Sequence, residues 1–174
     1  MTEYALYLES GPKRRKTMVH VLDLLGCIAQ GATTEAGLQA TPQAIRAYLH
    51  FLGRHGEPVD PQAPIRTTVA AHVMQGHWLG NGDPTPGFAP DFEPLSAADL
   101  ATYLKRLSWL QAELSDLIRT VPQAQLPAKP EKGRSLHGIL VHLASSHGYY
   151  LRRRTSTRSW GCRRRCRCLR REGP

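Results

Sequence analysis

The sequence predicts an α+β fold, a small β-β-β-α-β domain followed by a helical segment. Three observations carry this expectation. Residues 4–31 hold three short runs of strand character, residues 34–55 change to helical spacing, and residues 95–151 carry two apolar stripes at helical period beyond a stretch rich in Pro and Gly. With 174 residues, 41% of them hydrophobic, the chain can bury one ordinary core or two small ones.

Tyr4, Leu6 and Leu8 alternate with Ala5, Tyr7 and Glu9, the period of a half-buried strand that Ser10-Gly11-Pro12 ends. Lys13-Arg14-Arg15-Lys16 then reads as a basic hairpin tip, and Met18 to Leu22 as the returning strand. Asp23-Leu24-Leu25-Gly26 is a turn, and Cys27 to Gln30 a third strand stopped by Gly31. Thr33 is placed to cap a helix whose apolar face holds Leu38, Ile45, Tyr48, Leu49 and Leu52. Pro42 marks either a kink or the start of a second helix, and His55-Gly56 the end. Thr67 to Met74 is a fourth strand, with a short helix as the alternative.

The expected division is a domain over residues 1–79, a Pro/Gly linker over 80–94, a helical segment over 95–151 and an Arg/Cys-rich tail over 152–174. Phe88 and Phe92 are expected to pin the linker to a neighbouring surface. Ser96 and Asp99 form the start of the next helix, with an apolar stripe from Leu100 to Val121 that stops at Pro122. Ser135 caps a further helix with Leu136, Ile139, Leu140 and Leu143 on its apolar face, and the two helices should pair antiparallel. Such a pair covers only half of each stripe, so its outer faces need the sheet domain, more helices or another copy of the chain.

The formal net charge is +9, and it is unevenly placed. Residues 1–151 hold 13 Lys and Arg against 13 Asp and Glu, whereas residues 152–174 hold 10 Arg and one acid, Glu172. The body is neutral. Nucleic-acid binding would therefore fall to the tail or to the basic tip. Cys27 is the one cysteine of the body, which fits a reducing compartment and a cytoplasmic location. The first residues lack the pattern of a secretory signal, and no apolar run is long enough to span a bilayer.

Val19-His20-Val21-Leu22-Asp23-Leu24-Leu25-Gly26-Cys27-Ile28-Ala29-Gln30-Gly31-Ala32-Thr33, followed by Ala44-Ile45 and Leu49 to Leu52, resembles the HicB family over about residues 3–75, with Asp23, Gly26, Cys27, Gly31 and Thr33 on its motif. The resemblance implies a partial ribonuclease-H-like fold and a non-enzymatic antitoxin-type module that binds a small toxin-like protein. Asp23 is either a remnant metal ligand or an acceptor of turn hydrogen bonds. Lys13, Arg14, Arg15 and Lys16 are the expected partner or nucleic-acid contacts.

Residues 94–151 are similar to the first two helices of a DinB-like four-helix bundle, through Ser135-Leu-His-Gly-Ile-Leu-Val-His-Leu-Ala-Ser-Ser-His-Gly-Tyr-Tyr-Leu151. Complete members hold a divalent metal, Zn or Ni, and His142 matches one ligand. The two partners supplied by a fourth helix have no counterpart, so this resemblance implies an incomplete thiol transferase or hydrolase. His137, His142 and His147 cannot converge on one ion, because steps of five residues place neighbours about 140° apart around a helix. The tail reads as a nucleic-acid arm, as an atypically spaced zinc knuckle built on Cys162, Cys166 and Cys168, or, as preferred, as out-of-frame translation of a truncated gene.

Overall fold

In a computed structural model the protein is α+β, a four-stranded mixed sheet with three helices. Residues 2–76, 78–82, 87–131 and 133–155 are described, the last nine and Arg14 by backbone alone. The chain falls into two compact units, residues 1–112 and 113–174.

In the first unit, β1 (Thr2–Ser10), β2 (Arg15–Val21) and β3 (Cys27–Thr33) form an antiparallel meander, and α1 (Thr34–Arg54) leads to β4 (Ile65–Val73), which lies parallel to β1. The order across the sheet is β3-β2-β1-β4. Strand alternation sends Leu6, Leu8, Val19, Val21, Cys27 and Ala29 to one face, where Ile45, Leu49, Phe51 and Leu52 of α1 complete the core. Each fully buried Leu or Ile contributes about 1.5–3 kcal/mol. Burial also pushes the Cys27 thiol up to about 11, so it stays protonated and behaves as a small apolar group.

Two expectations about element ends are corrected. Gly31 does not stop β3, which runs on to Thr33. A Cβ at Gly31 would lie 2.1 Å from the backbone nitrogen of Gly37, so the residue is glycine because α1 crosses directly above it. Pro42 does not start a second helix, because α1 is one helix through it. Thr41 Oγ1 donates to the Gly37 carbonyl at 2.9 Å in that turn. The Thr33 cap forms as expected, its hydroxyl accepting from the Ala36 N–H at 3.2 Å.

On the other face of the sheet, Phe88 packs against Tyr7 and His20 with ring centroids 5.2 and 5.7 Å apart, and it is buried. Phe92 departs from expectation. It ends a short 3-10 turn, Ala89–Phe92, and stands 78% exposed. Leu79 is buried as well.

Residues 97–112 of α2 (Ala97–Thr120) also belong to the first unit. Ser96 caps this helix, accepting from the Asp99 N–H at 3.1 Å while its hydroxyl donates to the Asp99 carboxylate. Arg106 grips Glu57 through two guanidinium contacts of 2.8 and 2.6 Å, and Trp109 stacks on His55 with centroids 4.6 Å apart. In the second unit, Ser135 caps α3 (Leu136–Thr155), its hydroxyl accepting from the Gly138 N–H at 3.1 Å.

Two predictions follow from this packing. Gly31→Ala should destabilise the protein by at least about 1–3 kcal/mol through overpacking. Gly53→Ala, inside α1 with only an ordinary 3.8 Å contact to Val59, should instead stabilise it by about 0.4–1 kcal/mol; urea unfolding of both variants gives the signs. The Arg106 guanidinium bonded to Glu57 holds that carboxyl below its ordinary value of 4.5. Its stabilisation is therefore complete above the ordinary value and fades as pH falls through the lowered one. The gap in urea midpoint between the native protein and Glu57→Gln should be widest well above pH 4.5 and shrink as the pH is taken below it.

Candidate functional site

The polar residues of the first unit gather at one end of the sheet, around the β1–β2 hairpin. Gly11 to Lys16 form a tight connection in which the Gly11 N–H donates to the Lys16 carbonyl at 3.3 Å. The basic quartet is not all loop, as expected, since Pro12–Arg14 make a 3-10 turn and Arg15 and Lys16 already belong to β2. Lys13 and Lys16 both take left-handed backbone, with φ of 58° and 60°. Gly80 explains how this is held. A Cβ there would lie 1.6 Å from the Lys16 carbonyl oxygen, so residues 78–82 close onto the hairpin, and Lys16 Nζ donates to Asn81 Oδ1.

Lys13, Arg15 and Lys16 are exposed; the side chain of Arg14 lies outside the described residues. Arg15 stands opposite Thr33 in the β2–β3 register, which puts the basic tip beside the first turn of α1.

Immediately below the tip is a buried hydroxyl cluster. Ser10 Oγ lies 2.7 Å from Thr17 Oγ1, 2.7 Å from His72 Nε2 and 3.4 Å from Thr34 Oγ1, and Thr17 lies 3.1 Å from Thr34. The Ser10–His72 distance is that of an activated nucleophile. The hydroxyl is fully buried, however, and its bonding capacity is taken by Thr17 and His72. This arrangement ties β1, β2, β4 and α1 together.

On the opposite sheet face Glu9 is 1% exposed. Its Oε1 accepts from the Gly82 N–H at 3.0 Å and lies 3.8 Å from His20 Nε2, while Oε2 has no hydrogen-bond partner. Neither cluster was anticipated from the sequence. The signal available was the alternation itself, which sends Ser10 and Thr17 to the core side and Glu9 and His20 to the other.

The remaining candidates are not members of these clusters. Asp23 Oδ2 accepts from the Ala5 N–H at 3.2 Å, extending the β1–β2 ladder one step past the Leu6–Val21 pair, so it holds a strand edge. In the second unit His142 is exposed, and its carbonyl accepts from the Ser145 and Ser146 hydroxyls. His137 is exposed too, and the side chain of His147 lies outside the described residues, as does the tail from residue 156 onward. Among the described residues no three His, Cys, Asp or Glu side chains are grouped to hold a metal ion, and no helix is long and apolar enough to cross a membrane.

Ser10→Ala should remove the bonds to Thr17 and His72 and cost about 1–3 kcal/mol. Chemical denaturation against Ser10→Thr, which keeps a hydroxyl, measures it. No protein-family model, curated protein or solved structure matches this chain.

Proposed function

We propose that the chain is a non-enzymatic binding module of HicB-like type that engages a small partner protein through the hairpin end of its sheet. The observation that carries this reading is the basic tip. Three exposed cations sit on a short, twice left-handed connection that residues 78–82 brace from one side and the start of α1 flanks on the other. Charges held this way lose little freedom when a carboxylate-rich surface docks, and they steer its approach.

The polar groups below the tip serve the same reading. The Ser10, Thr17, Thr34 and His72 cluster is bonded inward, which makes it a brace for the presenting surface. A small reading frame beside this gene, of the toxin-like kind the resemblance implies, is the first partner to test.

The test is a titration of that neighbour's product against the native protein and Lys13→Glu/Arg15→Glu. Reversing both charges should weaken binding about tenfold, equivalent to about 1.4 kcal/mol, with the thermal midpoint unchanged. The native affinity should also fall as salt rises. Equal affinity for both proteins at low salt would reject the tip as the contact.

The alternative reading, an incomplete DinB-like metal-dependent enzyme, is favoured by a separate observation in the helices. Leu100, Leu104, Leu107 and Leu110 of the first unit, and Leu117, Ile139, Val141 and Leu143 of the second, are between 41% and 57% exposed. Further helices of a bundle, or self-association, would cover them.

A further inference from the structure

We propose that Trp78 and the exposed cations Lys13, Arg15 and Lys16 form a contact surface for single-stranded nucleic acid, the indole stacking on a base and the cations meeting the flanking phosphates. The starting point is backbone strain. Among the described residues, Lys13, Lys16 and Trp78 are the three other than glycine with positive φ, at 58°, 60° and 65°. That conformation is unfavourable for a long or bulky side chain, and it gathers where a surface is held ready for a ligand. All three residues belong to the hairpin end of the sheet or to the segment that closes onto it.

A tight turn ties Trp78 to the basic tip. The Asn81 N–H donates to the Trp78 carbonyl at 3.1 Å and closes the turn. Inside it Leu79 is buried, and a Cβ on Gly11 would lie 3.2 Å from the Leu79 carbonyl oxygen. Gly80 meets the Lys16 carbonyl, and Asn81 Oδ1 accepts from Lys16 Nζ. Trp78 therefore stands two residues from a backbone contact with the tip. Its side chain is 80% exposed, more than any other large apolar side chain among the described residues. An indole left in water beside strained, exposed cations is apolar area awaiting a cover.

The chemistry of the patch selects the occupant. The hairpin turn and β2 carry no acid, Glu9 of β1 is buried, and the flanking first turn of α1 adds a single acid, Glu35. The exposed cations thus outnumber it and call for an anionic ligand. Phosphates meet cations of this kind, and a nucleobase offers the flat face on which an exposed indole stacks. A single strand supplies both groups in alternation along one chain, whereas a duplex keeps its bases stacked inside. An acidic protein would meet the cations but would also need a pocket for the indole. The inference goes beyond the partner-protein reading and does not rest on it, since the two ligands would compete for the same tip.

The experiment labels the full chain with fluorotryptophan and follows the fluorine resonances of Trp78, Trp109 and Trp160 while a short oligothymidylate is added. Trp78→Phe and Trp160→Phe, each read in the free protein, assign the two signals that matter. Because residues 152–174 hold 10 Arg, the tail can attract phosphate by itself, and Trp160 within it reports that event separately. The Trp78 signal should shift and saturate with the oligothymidylate, and an abasic deoxyribose-phosphate chain of equal charge should leave it in place. Lys13→Glu/Arg15→Glu should raise the oligonucleotide concentration at half-shift about tenfold, with the Trp160 response and the thermal midpoint unchanged. A shift of Trp160 alone, or an equal Trp78 shift with the abasic chain, would overturn the proposal. So would a Trp78 signal that ignores the oligonucleotide and moves with the neighbouring gene's product, a result that gives the indole to the protein interface and leaves the partner-protein reading standing.

Discussion

The close approach of α1 to β3 is the constraint on which the first unit depends. At Gly31 and Gly37 the helix and the strand meet with no side chain between them, since a Cβ on Gly31 would collide with the helix backbone. Contact at that distance can be made only at a residue without a Cβ, and it fixes where the first turn of α1 lies. Everything placed near that turn inherits its position, including Thr34 in the hydroxyl cluster and Arg15 opposite the Thr33 cap.

From this contact the core grows in one direction and the polar end in the other. Away from the glycines, Ile45, Leu49 and Leu52 fill the space over Leu6, Leu8, Val19 and Val21 with apolar side chains. Toward the hairpin the same sheet face changes to Ser10 and Thr17, which meet Thr34 and His72. Hydroxyls are tolerated there because each finds a partner, so the end of the core is closed by directional bonds in place of further hydrophobic area. The hairpin above it can then carry two left-handed lysines, a conformation that costs energy and persists only where the surroundings enforce it.

Strand alternation and helical spacing made most elements readable in advance. Tyr4, Leu6 and Leu8 announced β1, and Thr33, Ser96 and Ser135 each began the helix they were expected to begin. The end of β3 was misread because a glycine after a short apolar run has two meanings, a break or a crossing, and only the second applies at Gly31. Phe92 was misplaced for a related reason. An aromatic residue in a Pro-rich stretch has no period to give it a direction, and of the two phenylalanines only Phe88 found a surface. The polar clusters went unread because their members are spread widely. Ser10 and His72 are 62 residues apart, and Glu9 and Gly82 are 73 apart.

By itself the sequence determined the fold class, the order of the elements and the placing of the net charge, because periodicity, caps and composition are local properties. It also exposed the basic quartet as the one concentrated charge of the body. Only the tertiary structure decided that β4 lies parallel beside β1, that Asp23 completes a ladder instead of standing with other acids, and that Glu9 faces His20 across 3.8 Å. These depend on which distant segments share a face, and that is settled by the joint packing of the sheet, α1, residues 78–82 and Phe88, information that no short window of residues contains.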